Sequence, residues 1–87
     1  MIRKDQWEMT TGNQIKAARS LLGWSQAETA KAANMSVPTV KRAEGSGAIG
    51  ASDQAIAAIR AALEAAGVEF IDENGGGAGV RLRKRET

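Results

Sequence analysis

The chain has no cysteine and no histidine, so thiolate and imidazole catalysis, disulfides and the zinc sites built on those ligands are closed to it. The remaining side chains that could do chemistry fall into three groups. Asp72 and Glu73 are adjacent carboxylates, but they stand in the run Asp72-Glu-Asn-Gly-Gly-Gly-Ala-Gly79, where nothing shapes a pocket around an acid and a base. The glycines of that run superficially resemble a phosphate loop. Such a loop closes on Lys-Ser or Lys-Thr and feeds a helix, whereas this one has no such pair and leads into an alternating, strand-like segment. The third group is basic or amide-bearing: Gln26, Lys41 and Arg42 between Ser25 and Glu44, and Arg81-Leu-Arg-Lys-Arg85 near the C-terminal end. No enzymatic activity, no metal and no cofactor is expected from this inventory.

Twelve basic residues against ten acidic ones leave a net charge of only +2. That balance does not identify a nucleic-acid binder, so the placement of the charges must carry the argument. With 87 residues the chain is one domain, and so small a domain buries only about 60% of the surface its unfolded chain exposes. The hydrophobic content of 43% comes heavily from Ala, with two Trp, one Phe and no Tyr. A core of that kind is made of helices that approach closely. No apolar run of about 18 residues is present, and Met1 to Glu8 are too polar for the apolar core of a signal peptide, so a cytoplasmic protein is expected.

The elements that must position the basic group can be read from caps and periods. Thr11-Gly-Asn-Gln14 is a capping box, Ile15, Ala18 and Leu22 recur at helical spacing, and Gly23 suits a left-handed stop; the first helix is expected over 12–22. Ser25-Gln-Ala-Glu28 is a second capping box, opening a helix that runs to about Ala33 with Asn34 as its stop. Ser36 caps a third helix, with Pro38 tolerated in its first turn, Val40 and Ala43 turned inward and Gly45 at its end. Gly45-Ser-Gly-Ala-Ile-Gly50 is a loop, and Ser52 caps a fourth helix with Ile56, Ile59 and Leu63 as its stripe, ending at Gly67. Beyond Gly67 the period becomes two: Val68 and Phe70 share one face, Val80 and Leu82 another, with Arg81 and Arg83 opposite, which predicts a β-hairpin.

Two short helices joined by a few turn residues, the second starting at a Ser, make a helix-turn-helix pattern between Ser25 and Glu44. At Ile15-Lys-Ala-Ala-Arg19, Gly23-Trp-Ser-Gln26, Ala30 and Ser36-Val-Pro-Thr-Val-Lys-Arg-Ala-Glu-Gly45 the sequence resembles the lambda-repressor-like regulators of the Xre/Cro family, over roughly residues 12–66. The resemblance implies a mainly α fold, a lambda-repressor-like bundle of about four helices, and sequence-specific binding of double-stranded DNA with the third helix in the major groove. It implies that Gln26 contacts a phosphate, that Val37, Pro38 and Arg42 fall where base edges are read, and that Ser36, Thr39 and Lys41 face phosphates. A Val and a Pro donate no hydrogen bond, so their contacts would be thymine methyls, while Arg42 suits guanine O6 and N7. Arg19 and Glu44 resemble the family's buried or half-buried ion pair; two ordinary solvated charges are the other reading. The sequence departs from the family where Thr29 replaces a usual Leu and Ala43 a bulky apolar residue, leaving space for Trp24, or for Phe70 and Leu82, to fill.

The chain thus divides into a flexible arm over 1–11, a DNA-binding domain over 12–66 and a hairpin with basic tail over 67–87. An isolated hairpin is marginal in water, so Val68, Phe70, Val80 and Leu82 need cover from helices 1 and 4 and from a second copy paired along the free edge. That homodimer would present two reading helices to a palindromic operator. Arg81 to Arg85 suit DNA backbone, or equally guard an edge strand against uncontrolled pairing. The rival reading is a protein-binding module on a helix-turn-helix scaffold, antitoxin-like or anti-activator, favoured by the small net charge and the apolar Val37-Pro38 pair.

Overall fold

Four hydroxyls start four helices. In the computed structural model, which describes residues 10–45, 50–72 and 75–83, these helices are α1 (Gly12–Leu22), α2 (Gln26–Ala33), α3 (Val37–Ala43) and α4 (Asp53–Ala65), and they are followed by strands β1 (Val68–Ile71) and β2 (Gly79–Leu82). Thr11 Oγ1 accepts from the Gln14 backbone N–H at 3.1 Å while Gln14 Oε1 accepts from the Thr11 N–H at 2.8 Å. Ser25 and Glu28 repeat the exchange at 3.0 and 2.7 Å. Ser36 accepts from the N–H of Thr39, and Ser52 from that of Ala55. Each cap satisfies a donor that the first helical turn leaves without an internal acceptor. The stops are equally local: Gly23 at φ 69° and Asn34 at φ 57° take the left-handed conformation that glycine and asparagine enter most easily.

Two short turns connect α1 to α2 and α2 to α3, α2 and α3 pack on each other, and the inward residues of all three meet α4 in one core. Ile15, Val40, Ile59, Leu63 and Val68 are all fully buried, with Ala18, Ala30, Ala33 and Ala43 filling the crossings between them. Small side chains at these crossings let α2 lie against both α3 and α4. Thr29 is also fully buried, and its hydroxyl donates to the Ser25 carbonyl at 3.0 Å, so a polar group stands in the core without an unmet hydrogen bond. Trp24 and Phe70 both pack half-buried against this core, Leu82 does not, and the hairpin lies against α1 and α4.

The hairpin is antiparallel, with Val68 opposite Leu82 and Phe70 opposite Val80. Val68 is fully buried, Phe70 and Val80 are half-buried, and Leu82 remains 49% exposed, so α1 and α4 cover the expected apolar face only in part. Two side chains dock the hairpin. Gln14 Nε2 donates to the carbonyls of Ile71 and Gly79, at 3.1 and 3.0 Å, tying both strands to the start of α1. Arg60 on α4 reaches Asp72 Oδ1 at 3.3 Å, Glu64 Oε2 at 3.1 Å and the hydroxyl of Thr10 at 2.8 Å, and its guanidinium lies 4.8 Å from the Phe70 ring centroid. Thr10, assigned to the arm by sequence, is itself buried. Residues 1–9, residues 46–49 of the expected 45–50 loop, residues 73–74 of the expected turn (with Glu73) and the tail over 84–87 lie outside the described residues.

Gln14 uses its amide on three backbone partners at once, so its replacement tests how the hairpin is held. Gln14→Leu leaves the Ile71 and Gly79 carbonyls without that donor and is expected to cost about 1–3 kcal/mol. Urea unfolding measures the loss, and hydrogen exchange should show the amides of β1 and β2 losing protection before those of α2 and α3; uniform protection would mean the hairpin is held by packing alone.

Candidate nucleic-acid interface

α3 is a seven-residue helix with two different sides. Val40 and Ala43 are buried, and Val37 packs half-buried against the same cluster. Pro38, Lys41 and Arg42 are exposed, and their i, i+3, i+4 spacing puts them on one stripe. Ser36 and Thr39 open the helix with their hydroxyls 2.8 Å apart. The structure thus brings together Ser36, Val37, Pro38, Thr39, Lys41 and Arg42 on one short element, with Val37 the most committed to the interior.

A seven-residue helix has too few internal hydrogen bonds to hold itself, and its C-terminal end is fixed by one network. Glu44, the residue following α3, has a side chain only 2% exposed. Arg19 on α1 grips it through Nε to Oε2 at 2.6 Å and Nη2 to Oε1 at 3.3 Å, a fork geometry specific to arginine. The remaining Nη1 donates to the Trp24 carbonyl at 3.0 Å, drawing the α1–α2 turn into the same network. Arg19 and Glu44 are therefore a largely buried pair and not two solvated charges.

Gln26, at the first position of α2, also belongs here. Its Nε2 donates to Glu44 Oε1 at 3.0 Å. A carboxylate only accepts, so the nitrogen end of the amide is the end that faces it, with a second N–H left for another acceptor. Sequence reasoning assigned Gln26 outward and missed this inward bond. It missed Gly12 as well: a Cβ there would sit 2.5 Å from the backbone carbon and oxygen of Glu44, so only glycine lets α1 begin against the end of α3. Neither signal is local, since Glu44 lies far along the chain from both residues.

The electrostatics of the surface divide along the fold. Glu69 pairs with Arg81 at 2.7 Å, Asp72 and Glu64 pair with Arg60, and Arg83 donates to the Glu64 carbonyl at 2.9 Å. Lys16 on α1, Lys31 on α2 and Lys41 and Arg42 on α3 are exposed and form no ion pair among the described residues. Thr39 and Arg42 also line a groove whose far wall is Ser52, read from sequence only as a helix cap, and Gln54, which the sequence did not single out. Among the described residues no three acids, histidines or cysteines gather into a metal-holding group, and no helix is long and apolar enough to cross a membrane.

No protein-family model matches the chain, and no curated protein matches it either. What the surface does must therefore be argued from these residues.

The asymmetric burial of the ion pair makes a sharp test. Removing one partner of a buried pair typically costs about 3–5 kcal/mol because the other charge is stranded. Glu44 has no route to water, whereas the Arg19 side chain is 21% exposed and can turn outward. Arg19→Ala is expected to destabilise the fold more than Glu44→Ala, as measured by urea unfolding; equal, small losses would mean that the pair contributes no more than a surface contact.

Proposed function

We propose that the chain binds double-stranded DNA sequence-specifically, as a cytoplasmic transcriptional regulator of the repressor type, with α2 and α3 acting as a lambda-repressor-like helix-turn-helix and α3 reading the major groove. The observation that carries this reading is the outward stripe of α3: Lys41 and Arg42 stand exposed and without ion pairs on a helix whose opposite side is locked into the core. Elsewhere Glu64, Glu69 and Asp72 are answered by arginines of their own surface, and Asp53, at the start of α4, is an exposed carboxylate without an ion pair among the described residues. Positive charge is left where a phosphate backbone would lie, which is the footprint that counts when net charge is small.

On this reading Arg42 is placed for base edges and Lys41, Ser36 and Thr39 for phosphates, with the second N–H of Gln26 directed to a phosphate at the start of α2. The chain works as a homodimer on a palindromic operator, since one half-site offers few contacts to so small a domain. The half-exposed Leu82 and the two-stranded sheet supply the surface for the second copy, and light scattering of the full chain, free and on duplex, should return a dimer.

Binding is read by fluorescence anisotropy on a duplex selected from a random pool, and on random duplex. Arg42→Ala is expected to lose about 1–3 kcal/mol on the selected site and to relax one base position, while Lys41→Ala weakens all duplexes alike and lowers the salt slope by about one. Pro38 gives the second reading its support, because an exposed apolar side chain at the tip of α3 also suits a protein partner. A chain that fails to bind heparin and random duplex at low salt is a protein-binding module instead.

A further inference from the structure

We propose that the outer face of α3 reads the C5-methyl group of a pyrimidine one or two base steps from a guanine, and that it therefore accepts 5-methylcytosine where it accepts thymine. The inference rests on the DNA-binding reading above and names what that face recognises.

At Pro38 the first turn of α3 offers hydrocarbon where a base-reading surface would usually offer a donor. Ser36 Oγ accepts from the Thr39 N–H at 3.2 Å and lies 2.8 Å from Thr39 Oγ1, so one hydroxyl proton is spent between them and the other is left for a phosphate. Between them, Val37 is half-buried against the core and Pro38 is exposed. Pro38 has neither a backbone N–H nor a polar side-chain atom, so its outward contact with a base is apolar. In the major groove the apolar group on a base edge is the C5-methyl of thymine. Cytosine lacks it, and 5-methylcytosine carries it at the same ring position.

Arg42 lies one turn further along the same stripe and is free of ion pairs among the described residues. One turn advances about 5.4 Å, and base pairs are stacked about 3.4 Å apart, so the guanidinium meets a base pair one or two steps from the methyl. Its planar fork matches guanine O6 and N7. The discriminating element is then a methyl and a guanine held at fixed spacing. Thymine and 5-methylcytosine differ at C4, where one has an acceptor and the other a donor, and a proline ring bonds to neither.

The test uses the full chain and random-sequence duplex pools of different chemistry: one with ordinary bases, one with deoxyuridine replacing thymidine, and one with 5-methylcytosine replacing cytosine. From ordinary DNA the chain should enrich a site with thymine one or two base steps from a guanine. The same site made with deoxyuridine should bind about fourfold more weakly for each contacted methyl removed. From the methylated pool, 5-methylcytosine and thymine should both be recovered at that position. Pro38→Ser should abolish the difference between thymine and uracil while the guanine is still selected. Equal affinity for the thymine and uracil sites, or exclusion of 5-methylcytosine from the thymine position, overturns the proposal and leaves DNA binding standing. Enrichment from none of the pools overturns DNA binding and this inference with it.

Discussion

Everything the outward stripe of α3 can do depends on how Arg19 holds Glu44. The helix is too short to persist by itself, and its inward side offers only Val40, Ala43 and half of Val37 to the core. Apolar burial keeps such a helix down but does not fix its rotation or slide. A buried carboxylate gripped by a forked guanidinium fixes both, because the bonds fail if either element shifts by a fraction of a turn. The cost of burying Glu44 is offset by three donors, two from Arg19 and one from Gln26. The start of α2, the α1–α2 turn and the end of α3 are thereby tied to one charge, and Gly12 lets α1 come close enough to supply it.

The other half of the molecule is built on the same plan with different partners. Gln14 and Arg60 dock the hairpin on α1 and α4 much as Arg19 docks α3, by one long side chain making several bonds at once. An Ala-rich core explains why such anchors are needed. Small residues bring helices close but bury little apolar area apiece, so orientation is left to the polar networks. Arg60 of α4 and Arg81 of the hairpin are paired with nearby acids, whereas Lys16, Lys31, Lys41 and Arg42 are left outward on α1, α2 and α3.

The elements were legible in the sequence because their signals are local. Two capping boxes, the Ser36 and Ser52 caps and the stops at Gly23 and Asn34 are each written within a few residues, and the change from helical to alternating period marks the hairpin. The candidate site was legible as a set of residues on α3, but its support was not. Gln14 was readable as a cap, whereas its reach to carbonyls 57 and 65 residues away has no local trace. Arg60 looks like one polar residue on a helix, though Glu64 four residues later hints at a pair. Gln26 reads as a surface amide until the end of α3 is brought beside it. Leu82 shows the same limit from the other side: the alternation places it on the apolar face of the hairpin, but how far α1 and α4 reach over that face is not written locally.

The central claim is that α3, held by Glu44, is the surface that meets DNA. It is tested most directly by recording backbone amide NMR shifts of the full chain while a duplex selected from a random pool is added. The account predicts that the largest changes fall on Ser36 to Arg42 and on Gln26, with β1 and the second half of α4 little moved by the duplex itself. Changes centred on the hairpin, or none on α3 at saturating duplex, would contradict it.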